Sequence, residues 1–176
     1  MRESLYRLIG FEKCNEVELP PALKHQKISN PDAPINDHFI KITVSGEEHM
    51  AVPIVFSRTK EYDPGKEKNF FRYLKFKLML VERDTGGKVA PLNRNGRPVL
   101  LNPDAVEGFF EKIGRNTTYI FHPEEILAEN FTYHVYRDEK LGSHFKAATI
   151  DSTLLDSIGT TLNRYAGPEA EIPPAP

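Results

Sequence analysis

A single cysteine, Cys14, stands in a chain of 176 residues, and tryptophan is absent. One cysteine excludes an internal disulfide and any multi-cysteine zinc site. No apolar run approaches the ~18 to 20 residues of a membrane-spanning helix. The opening Met1-Arg2-Glu3-Ser4-Leu5-Tyr6-Arg7-Leu8-Ile9-Gly10 lacks the long apolar stretch of a signal peptide. A one-sided charge is missing too: 23 Lys and Arg face 25 Asp and Glu, a formal net charge of −2. The chain as a whole therefore exerts no general pull on nucleic acid or acidic lipid. These absences predict a cytoplasmic protein with no membrane contact and no expected nucleic-acid partner.

What is present suffices for a core: 39% of the residues are hydrophobic, which excludes a wholly disordered chain. Charge is uneven. Residues 1–59 carry 7 basic and 8 acidic side chains, residues 60–97 carry 10 and 5, and residues 98–176 carry 6 and 12. The middle is basic and the last part acidic.

Ser4 to Ile9 predicts a short helix stopped by Gly10. The stretch to Asn36 is rich in turn formers (Pro20, Pro21, Asn30, Pro31, Pro34) and predicts an irregular crossing loop, so residues 1–38 form a first unit. Phe39 to Val44 is β-branched and partly alternating, which predicts a strand. Ser45 to Glu48 predicts a turn, and His49 to Ser57 the returning strand of a hairpin. Phe70 to Glu82 has a period nearer two than 3.6, hence one long strand. Val99 to Leu101 suggests a short strand after the Thr85-Gly86-Gly87 turn.

Helical signals begin at Asn102. Asn102-Pro103-Asp104 reads as an N-cap, a proline at the first helical position and an acid, opening a helix to about Ile113 with a stop at Gly114. A second helix starts at Pro123 and runs to about 135; a third covers Ser152 to Tyr165. The expected fold class is α+β: a small antiparallel sheet over about 39–101 followed by helices, within a unit spanning 39–166. The Pro-rich stretch 167–176 is expected to be disordered.

One segment, Asn116 to Phe131, carries chemical content. With Pro123 as the first helical residue, Glu125 and Glu129 are four apart and share a face. Ala128 lies on the same side and leaves room for close approach. Two carboxylates beside a small residue suit a metal ligand with a supporting partner. The same residues equally suit ordinary capping and dipole chemistry, with Phe121, Ile126, Leu127 and Phe131 as a core stripe.

The run Tyr119…Glu125-Ile126-Leu127-Ala128-Glu129-Asn130-Phe131 resembles the third-ligand helix of gluzincin-type zinc metallopeptidases, in which Glu-x-x-Ala-Glu/Asp follows a tyrosine. The wider string Asn116-Thr117-x-Tyr119-Ile120-x-His122-Pro123-Glu124-Glu125-Ile126-Leu127-Ala128 is similar to bacterial zincin-like proteins. The likeness is specific at 116–131 and vaguer over the residues before it. It implies that residues 39–166 are part of a zincin-like catalytic domain. Glu125 is then the third protein ligand of zinc, Glu129 its support, and Tyr119 a catalytic phenol near the metal that stabilises an oxyanion; His122 falls beside this set. The implied substrate is a peptide or protein.

The family's His-Glu-x-x-His, which supplies two imidazoles and the water-activating Glu, occurs nowhere in this chain. The resemblance therefore implies a C-terminal portion of such a protein, truncated, split or degenerate. It is expected to be inactive alone and to hold no stoichiometric zinc; a separate His-Glu-x-x-His-bearing chain is the implied partner. His122 and Glu125, three apart, are able to reach one ion, but His122 also occupies an N-cap position. His25, His38, His49, His134 and His144 show no ligand spacing and read as surface or strand residues, and Cys14 as a small core residue.

The basic middle allows an alternative. Lys66, Lys68, Arg72, Lys75 and Lys77 interleave with Phe70, Phe71, Tyr73 and Phe76. On a strand over about 70–82 this pattern gives a solvated basic face above an aromatic core face. It also suits a non-catalytic α+β binding module that uses this strand.

Overall fold

The computed structural model describes residues 1–29, 33–66, 68–138 and 151–166. The first helix, α1 (Arg2–Leu8), stops as predicted: Ile9 closes it and Gly10 follows at φ +77°, a left-handed conformation natural to glycine. Next come β1 (Phe11–Lys13), the single turn α2 (Pro21–Lys24) and β2 (Lys27–Ile28). β3 (His38–Val44) and β4 (Glu47–Ser57) form the predicted hairpin. Its turn is only Ser45-Gly46, with both φ values positive at 53° and 85°, which matches the twist of the flanking strands. A 3₁₀ turn (Phe70–Tyr73) leads into β5 (Leu74–Arg83). The short strands β6 (Val89–Pro91), β7 (Asn93–Arg94), β8 (Arg97–Pro98) and β9 (Leu100–Leu101) follow, and then α3 (Phe109–Ile113), α4 (Pro123–Asp138) and α5 (Ser152–Ala166).

The fold is α+β. An antiparallel sheet runs β1-β3-β4-β5-β6, with β2 also on β4 and β9 also on β5. Strand alternation sends side chains to two faces. Ile40, Ile42, Ala51, Leu78 and Leu80 face one way and meet Tyr6, Phe109, Ile113, Ile126 and Ile158 of the helices. Phe39, Val52, Ile54, Met79 and Val81 face the other way and are covered by Val17, Leu19 and Val89. The sheet is thus buried on both faces over its middle.

Pro53 marks the position of the site. β3 pairs with β4 only as far as Ile40–Ala51, and β2 resumes at Ile28–Val55. Pro53 lies in the gap, where its missing N–H interrupts no ladder bond. Asn36, Asp37, His38, His122 and Pro123 converge on that gap.

Several expectations need correction. The crossing loop is not wholly irregular: β1 and β2 come from it and join the sheet by long-range pairing. The strand expected over 70–82 begins at Leu74, because Asn69 accepts from the Phe71 N–H and curls Phe70–Tyr73 into a 3₁₀ turn. The helix expected from Asn102 to Ile113 is broken. Pro103–Ala105 is a 3₁₀ turn, Gly108 adopts φ +84°, and only Phe109–Ile113 is α-helical. Asn102 does not cap; its side-chain oxygen accepts from Lys77. The predicted tail 167–176, and Asn30, Pro31 and Asp32, lie outside the described residues. Among the described residues no helix is long and apolar enough to cross a membrane.

Candidate functional site

From Asp37 and His38 at the Pro53 gap a network of ionisable groups extends to α1, β1 and α4. α1 contributes Arg2, Glu3 and Tyr6, which share a face at spacings of three and four. The Arg2 guanidinium donates to the Tyr6 oxygen at 2.9 and 3.1 Å, and Arg2 Nη2 lies 3.1 Å from Glu124 Oε2. The Tyr6 hydroxyl donates to Glu124 at the start of α4. Burial, followed by that bond to a carboxylate, pushes the Tyr6 phenol well above its ordinary value.

The Tyr6 ring stands edge-on to His38 with centroids 4.4 Å apart. His38 is 3% exposed. Its Nδ1 donates to Asp37 Oδ1 at 2.6 Å, and its Nε2 faces the Glu3 carboxylate at 3.3 Å. Lys13, opposite His38 in the β1–β3 register, donates to the other Asp37 oxygen. Burial alone raises the Asp37 carboxyl, but the bonds from Lys13 and His38 outweigh it and hold it below the ordinary carboxylate value. The network pins α1 to the sheet and to the start of α4.

His122, the residue before α4, belongs to the same junction and is 7% exposed. Its Nε2–H donates to the Ile35 carbonyl at 3.1 Å, and its Nδ1 accepts from the Glu124 N–H at 3.1 Å. His122 is therefore the cap of α4, doing with a ring nitrogen what Asn or Ser does with an oxygen. Burial, opposed by the bond to Ile35, lowers its pKa below 6.5. Both nitrogens are committed, so His122 is not a metal ligand in this arrangement.

The other candidates lie around α4. Glu125 and Glu129 are one turn apart on one helix face. Glu129 bonds the Tyr133 hydroxyl, and burial together with that carboxylate raises the Tyr133 phenol. Tyr119 is 42% exposed; its ring tilts against Phe121 at 5.7 Å and its N–H donates to Thr117 Oγ1. The two asparagines of the segment hold it in place. Asn116 donates to Asn130 Oδ1 at 2.8 Å and accepts from the Asp151 N–H at 2.7 Å, while fully buried Asn130 donates to the Ile126 carbonyl.

An open, mostly apolar groove of about 390 Å³ lies between α1, α4 and α5. Leu5, Ala128, Phe131 and Leu162 line it, with Arg2 and Glu124 at one end. Glu125 and Glu129 are not among its lining residues: they sit about 100° round the helix from Glu124 and Ala128 respectively, turned away from the groove.

Among the described residues no group of three or more His, Cys, Asp or Glu could hold a metal ion. The remaining histidines do not alter this: His49 is on β4, His134 packs against Gly159 of α5, and His144 lies outside the described residues. Cys14 is half-buried against the Val17–Val81 cluster, and burial, then the nearby Asp37, pushes its thiol up to about 11, which suits a packing residue.

Sequence reasoning placed His122 at the cap and the two carboxylates on one helix face. It missed Arg2, Glu3, Tyr6, Asp37 and Glu124, because a bond between residues 118 apart, such as Tyr6 to Glu124, leaves no local signal. Comparison with protein-family models, with curated proteins and with solved structures gives no match.

Proposed function

We propose that the chain supplies one ligand, Glu125, to a zinc metallopeptidase-type site, the two imidazoles and the water-activating Glu coming from a His-Glu-x-x-His helix outside these 176 residues. Glu129 backs Glu125, and Tyr119 offers its phenol to the oxyanion of a peptide substrate. Alone, the chain hydrolyses no peptide bond, because the group that activates water in such enzymes is not among its residues. His122 contributes by fixing the start of α4 rather than by binding the ion.

The observation that supports this reading is the position of Glu125 and Glu129 one turn apart on one face of α4. Glu124 is tied to Arg2 and Tyr6 and serves the junction of α1 and α4. The coding DNA on the 5′ side of the Met1 codon tests the proposal. A His-Glu-x-x-His there, in frame or frameshifted, supports it; a distant boundary with no such motif overturns it.

A second reading, a non-catalytic α+β binding module, is favoured by one observation: the aromatic and basic turn at the head of β5 faces solvent.

A further inference from the structure

The connection between β4 and β5 is built around aromatic rings that no core covers. Tyr62, Phe70 and Phe71 are 45%, 43% and 68% exposed. The turn that presents them is well tied down. Asn69 caps it through the Phe71 N–H, the Arg58 N–H donates to the Tyr73 carbonyl, and the Tyr73 hydroxyl donates to the Asp63 carbonyl. Tyr73 is buried beneath, while Tyr62 leans edge-on against it at 5.0 Å and against Phe70 at 5.6 Å. The result is a shelf of fixed rings beside an open depression of about 460 Å³ whose lining includes Lys60, Tyr62 and Lys66 together with the acids Glu61 and Asp63.

The shelf is ringed by cations. Arg58, Lys60, Lys66, Lys68, Arg72 and Lys75 are all exposed. The acids of the same stretch are Glu61, Asp63 and Glu67, of which Asp63 lies 3.5 Å from Lys66. Six bases against three acids give this turn a positive charge on a chain whose total is −2. The expectation of no nucleic-acid contact rested on that total, and on Phe70 and Phe71 backing a strand; the structure moves both rings off the strand and into solvent.

We infer that this turn binds single-stranded nucleic acid, with unpaired bases stacked on Phe71 and Phe70 and phosphates held by the surrounding lysines and arginines. The inference rests on the binding-module reading of this turn and is independent of the metallopeptidase reading. An exposed ring beside exposed cations is the combination that sequence-tolerant strand binding needs. An acidic protein surface fits less well. Between Arg58 and Tyr73 there is no Ala, Val, Leu, Ile or Met. Lysines also outnumber arginines, whereas protein interfaces are depleted in lysine.

Fluorescence anisotropy on the full chain tests the inference, using labelled oligo-dT and oligo-rU of about 12 nucleotides, within the usual span of a small strand-binding site. The probes include a duplex of the same length and a polyglutamate peptide. Saturable binding of either single strand is expected, with the tighter of the two identifying DNA or RNA as the source. Affinity should fall as salt rises, with a log–log slope of about −2 to −3 if three or four phosphates are neutralised. Phe71→Ala should weaken binding about tenfold and Phe71→Tyr should restore it, since stacking needs only a ring face. The pair Lys66→Glu and Lys68→Glu should flatten the salt slope. Because Phe71 is exposed, its variants should melt with the parent protein. No saturable binding of a single strand at low salt, equal binding of the duplex, or indifference to Phe71→Ala would each overturn the inference. Preference for polyglutamate would refute nucleic acid while leaving a binding module standing.

Discussion

Replacing Gly159 by alanine sets two effects of opposite sign against each other. Gly159 is in the middle of α5, where alanine is favoured over glycine by roughly 0.8 to 1 kcal/mol. A Cβ at that position, however, would stand 2.4 Å from His134 Cε1 and 2.9 Å from Nε2. The imidazole of α4 lies against the α5 backbone, and its Nδ1 is buried with no hydrogen-bond partner among the described residues. Relief requires the ring to leave its slot or the two helices to separate. Overpacking of this kind costs about 1 to 3 kcal/mol. The clash therefore wins, and Gly159→Ala is expected to destabilise the protein by about 1 kcal/mol, about 2 to 4 °C in melting temperature for a chain of this size. In a His134→Ala background the obstacle is gone, and the same substitution should stabilise by about 0.5 to 1 kcal/mol through helix propensity alone. The sign reversal is the signature, and a double-mutant cycle by urea unfolding reads it directly. If Gly159→Ala stabilised both backgrounds, the close α4–α5 contact at His134 and Gly159 would be wrong.

The cap at His122 makes stability depend on pH. Its folded pKa is below 6.5, so the unfolded chain binds the proton more readily; the contribution is complete above 6.5 and is lost as pH falls through the folded value. His122→Asn keeps a capping acceptor without the titration, and should flatten the melting temperature between about pH 7.5 and 5.5. Asp37 acts lower on the scale. Its depressed pKa gives stability that is present above about 3.8 and is lost below it, so Asp37→Asn should shrink the acid limb of the same curve. Tyr6→Phe removes both the acceptor for Arg2 and the donor to Glu124 while keeping the buried ring, and should cost about 1 to 3 kcal/mol in urea unfolding. The chain purified alone should carry well under one equivalent of zinc by elemental analysis, with Glu125→Ala leaving the content unchanged; one tightly held zinc would mean that a set of ligands has been overlooked.

What the sequence revealed about the fold was whatever neighbouring residues decide among themselves. The stop at Gly10, the Ser45-Gly46 hairpin, Pro123 at the head of α4 and the span of α5 each have a local cause. β1 and β2 do not: Phe11–Lys13 is a strand because His38–Ile40 lies alongside it, and Lys27–Ile28 because Val55–Phe56 does. The 3₁₀ turn at Phe70 was hidden by an alternation that continues unbroken into β5, and only the Asn69 cap separates the two. At the site the same division holds. The cap role of His122 and the shared face of Glu125 and Glu129 follow from helix periodicity. The Arg2–Tyr6–Glu124 and Lys13–Asp37–His38 connections depend on tertiary contact and have no periodic trace.

The assignment of Glu125 as the ligand contributed by α4 is tested most directly by metal content. The chain is co-expressed with the His-Glu-x-x-His segment that the proposal places on its 5′ side, and the zinc in the purified complex is measured for the parent, Glu125→Gln and Glu124→Gln. One zinc per complex is expected in the parent and in Glu124→Gln, whose acid serves Arg2 and Tyr6, and loss of most of it in Glu125→Gln. Zinc retained by Glu125→Gln, or no zinc in the parent complex, would contradict the assignment.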